Sequence, residues 1–475
     1  MKRLLYLLVV FSSCVFAQQG SIAIDDSSLF KYRYDTDLLP ASFHKKNRDT
    51  LRKKMPANSV AVFFANPVRN RSNDVDFQYH QDPNFYYLTG YIEPDAILLV
   101  FKEEQKFDSF QTNEIIFVRQ RSMEKEIWNG RRLGVNGVKK MLGFENVFVN
   151  NSYNDAQFNL CAFDKILVQI PKNDIRDNPN DRGDLYSLVN GFKVEIEKCT
   201  LNTDAFSLAE IMAEMREVKQ AEELVLMRKA IEMSCLAHIE LIKALEPLFT
   251  EYQAQAVVEY MFKKYGSEYV GYPSIVGGAE NSCVLHYSSN RKQLNNEKLL
   301  LVDMGAEYHG YTADITRTLP ISGTFSIEEK VLYNVVLAAQ SAGIKACLEG
   351  NNFWEPHNAA VKIIQSRLLE LGIIKDALEY RKYFMHGTSH YLGLDVHDVG
   401  LFGKLEAGNI ITVEPGIYIP EGSDCDKKWW NIGIRIEDDI LISAGKPINL
   451  SESIPRNTDE IEKLMKEKSF FNEQR

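Results

Sequence analysis

Four stretches of this chain concentrate side chains able to bind a cation or move a proton. The first, LLLVDMGAEYHGYTADITRT from Leu299 to Thr318, has two strand-like halves around the turn candidates Tyr308, His309 and Gly310. A turn centred between Tyr308 and His309 sets Asp303 directly opposite Asp314, with Cβ atoms roughly 4.5–5.5 Å apart. Burying two facing carboxylates is costly unless a proton or a cation neutralises them. A divalent metal does so. Two exposed aspartates on a solvated face are the alternative, and the apolar LLLV flank speaks against it.

The second stretch, FMHGTSHYLGLDVHDVG from Phe384 to Gly400, holds His386, His390 and His397, three of the nine histidines in the chain. Imidazole is a common metal ligand and the usual general acid or base near neutral pH. A helix would align His386 with His390, whereas Gly387, Thr388 and Ser389 fit a loop equally well. A chance cluster of surface histidines is the plain alternative. The remaining stretches, IITVEPGIYI (Ile410 to Ile419) and NIGIRIEDDILI (Asn431 to Ile442), read as core strands that bury Glu414 and Glu437. In the last of these, alternation places Arg435, Glu437 and Asp439 on one face. A carboxylate inside a core strand is normally paired or liganded, and an ion pair with Arg435 would account for either one taken alone.

Asp303, Asp314, His390, Glu414 and Glu437 together make four carboxylates and one imidazole. Such an oxygen-rich set suits Mn²⁺ or a related hard-to-borderline cation better than a thiolate-seeking one. Four negative charges match two divalent ions rather than one. Two ions about 3.5–4 Å apart can activate water and stabilise the charge of a hydrolytic transition state.

These residues need a core to hold them, and the composition supplies one. With 45% hydrophobic, 25% charged and 11% aromatic residues, disordered, collagen-like and coiled-coil readings are excluded. The net charge of −10, with no clustered basic surplus, excludes a nucleic-acid partner. A length of 475 residues suggests about three domains at ~150 residues each, but the text divides into two. From about 40 to 200, short apolar strands alternate with helical stretches; Val60 to Ala65, Ala96 to Phe101 and Ile115 to Val118 read as buried strands of an α/β domain. Past residue 204, Leu224, Met227, Ile231 and Cys235 recur at helical spacing and open a second domain with a long amphipathic helix. There, Ser326 and Glu329 form a capping box, Pro356 and Gly372 bracket a helix through Leu371, and Thr458 to Arg475 reads as a surface helix with a loose tail.

The first seventeen residues read as a targeting segment. Lys2 and Arg3 precede an apolar run over residues 4–11, and Val15-Phe16-Ala17 offers a cleavage site before Gln18. The run falls short of the ~20 residues a helix needs to span a bilayer, so export is expected, to the periplasm or beyond, with no stable membrane insertion. Cys14 raises lipoprotein anchoring, for which Phe11-Ser12-Ser13 is a poor lipobox. The other cysteines, 161, 199, 235, 283, 347 and 425, lack C-x-x-C spacing. Buried free thiols are expected, although an exported chain could oxidise one pair that the sequence does not specify.

In order along the chain, VLHY (Val284 to Tyr287), DMGAEYHGYTADITRT, HGTSHYLGLDVHDVG, TVEPGIYI and IGIRIEDDI resemble the pita-bread metallopeptidases, in their Xaa-Pro aminopeptidase (aminopeptidase P) branch. DFQYHQDPNFYYLTG and IWNGRRLG extend the resemblance into the first domain, where His80 replaces the basic residue expected in that motif. The resemblance implies an α+β protein: a signal peptide over 1–17, an α/β domain of the creatinase/aminopeptidase P N-terminal type over 18–203, and a pita-bread catalytic domain over 204–475. It implies two divalent ions on Asp303, Asp314, His390, Glu414 and Glu437. His286 and His397 would contact the substrate carbonyl, and Glu414 would also shuttle a proton. His386, Tyr418 and Arg435 would line the proline side, with Arg435 a conceivable clamp for a dipeptide carboxylate. Trp128 is either a core residue or one that touches substrate across a subunit interface. Implied partners are peptides with proline second and further copies of the chain, as a homodimer or homotetramer. A prolidase restricted to Xaa-Pro dipeptides is the alternative; an inactive binding module fits worse, because all five ligand positions are retained.

Overall fold

A computed structural model describes residues 35–107, 110–156, 158–171, 175–199, 203–295 and 298–472. The targeting segment lies outside the described residues. The first domain is built on a five-stranded mixed sheet in the order Val147–Val149, Gln111–Val118, Ile97–Lys106, Ser59–Phe64, Lys165–Val168. The three strands expected from the sequence form its centre, paired antiparallel (Val62 opposite Leu99, Leu99 opposite Ile115), and both edge strands join in parallel. Every residue of Ser59–Phe64 is buried, and the period of two divides its side chains between two cores. Val60, Val62 and Phe64 enter a core within the first domain. Ala61 and Phe63 enter another, which takes Phe43 and Leu51 from the helix Ala41–Lys54 and Phe85 and Leu88 from the helix Pro83–Thr89, and which is continuous with Met227, Tyr311, Leu392, Ile410 and Leu441 of the second domain.

The second domain opens with the expected long helix, Ala221–Ala244, preceded by a helix Ala205–Glu217 that packs on the first domain through Leu208, Met212 and Met215. The capping box is present at Ser326, with both reciprocal hydrogen bonds, and opens Ile327–Ala346. Pro356 and Gly372 bracket Glu355–Glu370. Between the helices lie short antiparallel sheets, among them Leu299–Asp303 with Thr316–Pro320 and Ile275–Gly278, Ile410–Val413 with Asp438–Leu441, and Gly416–Ile419 with Ile432–Arg435.

The structure corrects or decides five local readings. The hairpin turns on His309 and Gly310, whose φ angles of 49° and 85° suit a two-residue turn of the type that follows strand twist. Asp303 therefore faces Thr316, and Asp314 is displaced by two residues, which keeps it on the same face. The two long strands are each broken, at Glu414-Pro415 and at Ile436-Glu437; proline removes a ladder donor in the first. Residues 386–390 form no helix, as the loop residues there allowed. Cys161 and Cys199 form a disulfide (S–S 2.05 Å), and neither is buried, while Cys235 and Cys347 are buried free thiols. The C-terminal helix is Thr458–Leu464, and the segment after it is held by Glu240, which accepts hydrogen bonds from Ser469 Oγ (2.7 Å) and Phe470 N–H (2.9 Å). Among the described residues, no helix is long and apolar enough to cross a membrane.

Candidate metal centre

The strand interruptions are what build the site. Asp303 ends Leu299–Asp303, and Asp314 lies in the gap between Tyr311–Thr312 and Thr316–Pro320. Glu414 and Glu437 occupy the two breaks just described. His390 is held beside Ile410–Val413: its carbonyl accepts from Thr412 N–H (3.0 Å), and Glu414 N–H donates to Thr388 O (2.9 Å). All five side chains line one cavity of about 560 Å³, together with His286, His386, His397, Tyr272 and Arg435.

Within it, carboxylates crowd one another. Tyr272 Oη lies 2.5 Å from Asp303 Oδ1 and 2.6 Å from Asp314 Oδ1. A phenol has one proton, so it can donate to only one of the two at a time. Asp303 is further held by Arg435, whose Nη2 donates to Oδ2 at 2.6 Å. Burial works against its charge, but Arg435 and Tyr272 outweigh burial and hold the carboxyl below its ordinary value. Asp314, with Tyr272 and His390 beside it, and Glu437, which accepts from Thr316 Oγ1 (2.6 Å), have no guanidinium hydrogen bond, and burial followed by neighbouring carboxylates pushes both upward, Glu437 far upward. Burial likewise raises Glu414 to about 7. Near them, burial disfavours charge on His390, but Asp314 and Glu414 raise it to about 9.

This donor set fits divalent cations. Ligand atoms of Asp314, His390 and Glu437 lie within 4.8 Å of one another. His390 Nε2 stands 3.3 Å from Asp314 Oδ2 and 3.6 Å from Glu414 Oε1, and its Nδ1 donates to Tyr391 O at 3.0 Å. That outer bond fixes the proton on Nδ1, so that once Nε2 gives up its own proton to a cation it offers the lone pair, the tautomer a metal requires. Arg435 offsets one of these buried acids, and without cations protons must neutralise the rest.

One end of the cavity is built differently. Arg435 Nη1 donates to Tyr418 Oη (2.9 Å), Tyr418 Oη donates to His386 Nε2 (2.8 Å), and His386 Nδ1 donates to Gly387 O (2.7 Å). Burial and then Arg435 lower His386 to about 3, so it stays neutral and the chain of donors keeps one direction. Tyr418 is wholly buried behind His386 rather than on the cavity wall. At the other end, His397 is exposed, its ring centroid 4.5 Å from that of His390, and burial of its ring and the nearness of His390 disfavour its charge. His286 is exposed on the facing loop.

Residues 225–444 match Metallopeptidase family M24, and residues 44–165 match the Aminopeptidase P, N-terminal domain. Over 433 residues the chain is 33% identical to the Xaa-Pro aminopeptidase of Escherichia coli, covering 89% of this chain and 97% of that protein. The chain belongs to the aminopeptidase P family. It is 35% identical to the Xaa-Pro aminopeptidase of Haemophilus influenzae over 439 residues, 90% of this chain and 98% of that one. Among solved structures, proline aminopeptidase P II from Yersinia pestis is similar at a TM-score of 0.80 with 35% identity, covering 90% of this chain and 99% of that chain. Zinc-substituted E. coli aminopeptidase P in complex with product matches at 0.81 with 33% identity, covering 90% and 98%. Membership fixes the architecture as a first α/β domain followed by a pita-bread domain.

Ten of the eleven residues singled out from the sequence are brought to the cavity or directly behind it. Trp128 is not. It stands 83% exposed on Met123–Asn129, a helix with no buried residue, so it is neither a core tryptophan nor part of this chain's own cavity. Tyr272 was missed because its signal is tertiary: nothing in the sequence around Tyr272-Pro273 ties it to two aspartates thirty and forty residues on.

Proposed function

We propose that this protein is a metal-dependent aminopeptidase that releases the N-terminal residue from peptides with proline in second position. The observation that carries the reading is the joining of a five-ligand acidic centre to the one-directional Arg435–Tyr418–His386 wall in a single cavity. Asp303, Asp314, His390, Glu414 and Glu437 would hold two divalent ions, and manganese suits their oxygen-rich donors. Bound there, the ions supply Lewis acidity and activation of water at neutral pH.

The chain's own groups do the rest. His286 and His397 line the same cavity, where an imidazole N–H can donate to the scissile carbonyl as its oxygen gains charge. Glu414, on the cavity wall beside His390 and Arg435, is placed to take a proton from the attacking water and deliver it to the leaving proline nitrogen. The flat wall of His386 with Tyr418 behind it suits a pyrrolidine ring.

Longer peptides are favoured over dipeptides. Arg435 carries the only fixed positive charge among the described lining residues, and its guanidinium is occupied by Asp303, Tyr418 Oη and Thr316 Oγ1. Three of its five N–H donors are thus spent inside the protein and its charge is matched by Asp303, which makes it a poor clamp for a dipeptide carboxylate. Export rests on residues 1–17 and is supported by the Cys161–Cys199 disulfide, a bond that persists in oxidising compartments. Mass spectrometry of the native protein should find Gln18 as its first residue. Self-association through the bare Met123–Asn129 helix is supported by the exposure of Ile127 and Trp128.

The test of function is cleavage of a matched Xaa-Pro-Yaa tripeptide and Xaa-Pro dipeptide by manganese-loaded protein. Rapid tripeptide cleavage, abolished by N-acetylation and severely reduced by replacing proline with alanine, is expected. Good cleavage of the dipeptide alone would make the protein a prolidase.

A further inference from the structure

His286 is carried on a loop, and a loop must be held if it is to place a side chain to within a fraction of an ångström. The side chain that holds it is Glu251. This carboxylate begins the helix Glu251–Tyr265, where the helix N-terminus favours negative charge, and it is wholly buried. Both oxygens are used twice. Oε1 accepts from Gly278 N–H (2.9 Å) and Asn281 Nδ2 (2.9 Å), at the start of the loop. Oε2 accepts from Tyr287 Oη (2.9 Å) and Lys292 N–H (2.8 Å), at its middle and end. The Glu251 backbone N–H returns a bond to Lys292 O (2.9 Å). A Cβ at Gly278 would sit 2.4 Å from Leu294 Cδ2 and 3.5 Å from Glu251 Oε1, so glycine there permits the close approach.

All four donors are neutral, and none belongs to the metal centre. A carboxylate with four acceptor sites satisfied is a rigid hub, and here it spans residues 278–292 and grips Tyr287, the immediate neighbour of His286. We infer that Glu251 is a positioning residue for His286, acting through Tyr287 and the loop rather than on substrate. This rests on the reading of His286 as a group that contacts the substrate carbonyl.

The geometry requires an acceptor on both sides. In Glu251→Gln one side becomes an NH₂ group facing two donors, whichever way the amide turns, so the loop must shift. Displacement of a catalytic group by about 1 Å costs on the order of 10²-fold. Glu251→Gln should therefore lower kcat by about 10- to 100-fold while KM changes little and the two metals per chain, counted by mass spectrometry, are retained. Tyr287→Phe, which removes one hydroxyl and keeps the fold, should lower kcat by a smaller factor in the same sense.

The deciding measurement is a double-mutant cycle with His286→Ala. If Glu251 acts by placing His286, Glu251→Gln or Tyr287→Phe causes little further loss once His286 is gone. An equal loss in both backgrounds, or a wild-type kcat in both single variants, overturns the inference. If Glu251→Gln does not fold, the Tyr287→Phe arm of the cycle decides alone. Wild-type protein that cleaves no Xaa-Pro peptide would instead overturn the proposed function, a result separable from these.

Discussion

Glu414 and Glu437 show how the site's acids set the behaviour of the metal-free protein. Burial pushes Glu414 to about 7 and Glu437 far upward, so the folded chain keeps protons that the unfolded chain has released above its ordinary value of 4.5. Stability contributed by these groups is thus lost as pH rises from about 4.5 through 7. His390, raised to about 9, has the same sign: its contribution is complete below 6.5 and lost as pH rises through the folded value. In EDTA, the Tm of the protein should fall between about pH 7 and 9, above the range in which the depressed His44, His238 and His386 make stability rise with pH, and Mn²⁺ should flatten the decline by replacing protons with fixed charge. A Tm that rises over this interval would refute the charge assignment. Ligand and non-ligand roles separate in the same residues. Glu437→Gln should lose metal by elemental analysis, whereas His397→Ala should keep its metals and lose about 10²–10³-fold in kcat, the size of one oxyanion donor. Metal loss in His397→Ala would make His397 a ligand instead.

At the scale of the element, the hairpin that carries Asp303 and Asp314 depends on its turn. Gly310 has φ of 85°, and an added Cβ would lie 3.2 Å from Leu394 Cδ2 and 3.5 Å from Tyr86 Cε1. Gly310→Ala should cost about 1–2 kcal/mol from left-handed backbone strain, with crowding at Leu394 adding to it. Denaturant titration should show this as a lower midpoint with unchanged slope. A neutral result would mean that the turn relaxes without moving the ligands. The broken strands follow the same logic. Glu414 and Glu437 are placed where ladder bonding stops, which frees each carboxylate to turn toward the cavity while apolar neighbours on both sides stay in the core.

Across the whole molecule, two fastenings matter. The sheet of the first domain shares a continuous core with the second, one that includes Ala61 and Phe63 and also Ile410 and Leu441, the ends of two strands that lead to the site. The disulfide ties the segment Leu160–Ala162 to the end of the helix Leu185–Glu197, closing a separation of 38 residues. Cys161→Ser should cost about 2–4 kcal/mol by the loop-closure argument. Thermal melts with and without reductant check it: the parent should lose Tm on reduction, and Cys161→Ser should be indifferent to reductant.

The sequence determined what depends on residue type and local period. The strands near 60, 97 and 115, the long helix from Ala221, the capping box at Ser326 and the five acidic and imidazole positions could all be read because apolar spacing and caps are local properties. Even the hairpin register, though off by two residues, kept Asp303 and Asp314 on one face, since side chains alternate with a period of two. Tertiary structure decided what depends on groups distant in the chain. It broke two apparently continuous strands at their carboxylates, brought Tyr272 between two aspartates, spent Arg435 on Asp303, left Trp128 bare, and paired Cys161 with Cys199. The first three follow from close packing and the need to satisfy buried charge, the last two from which surfaces the folded chain brings together or leaves open, and none of these has a signature in the residues next door.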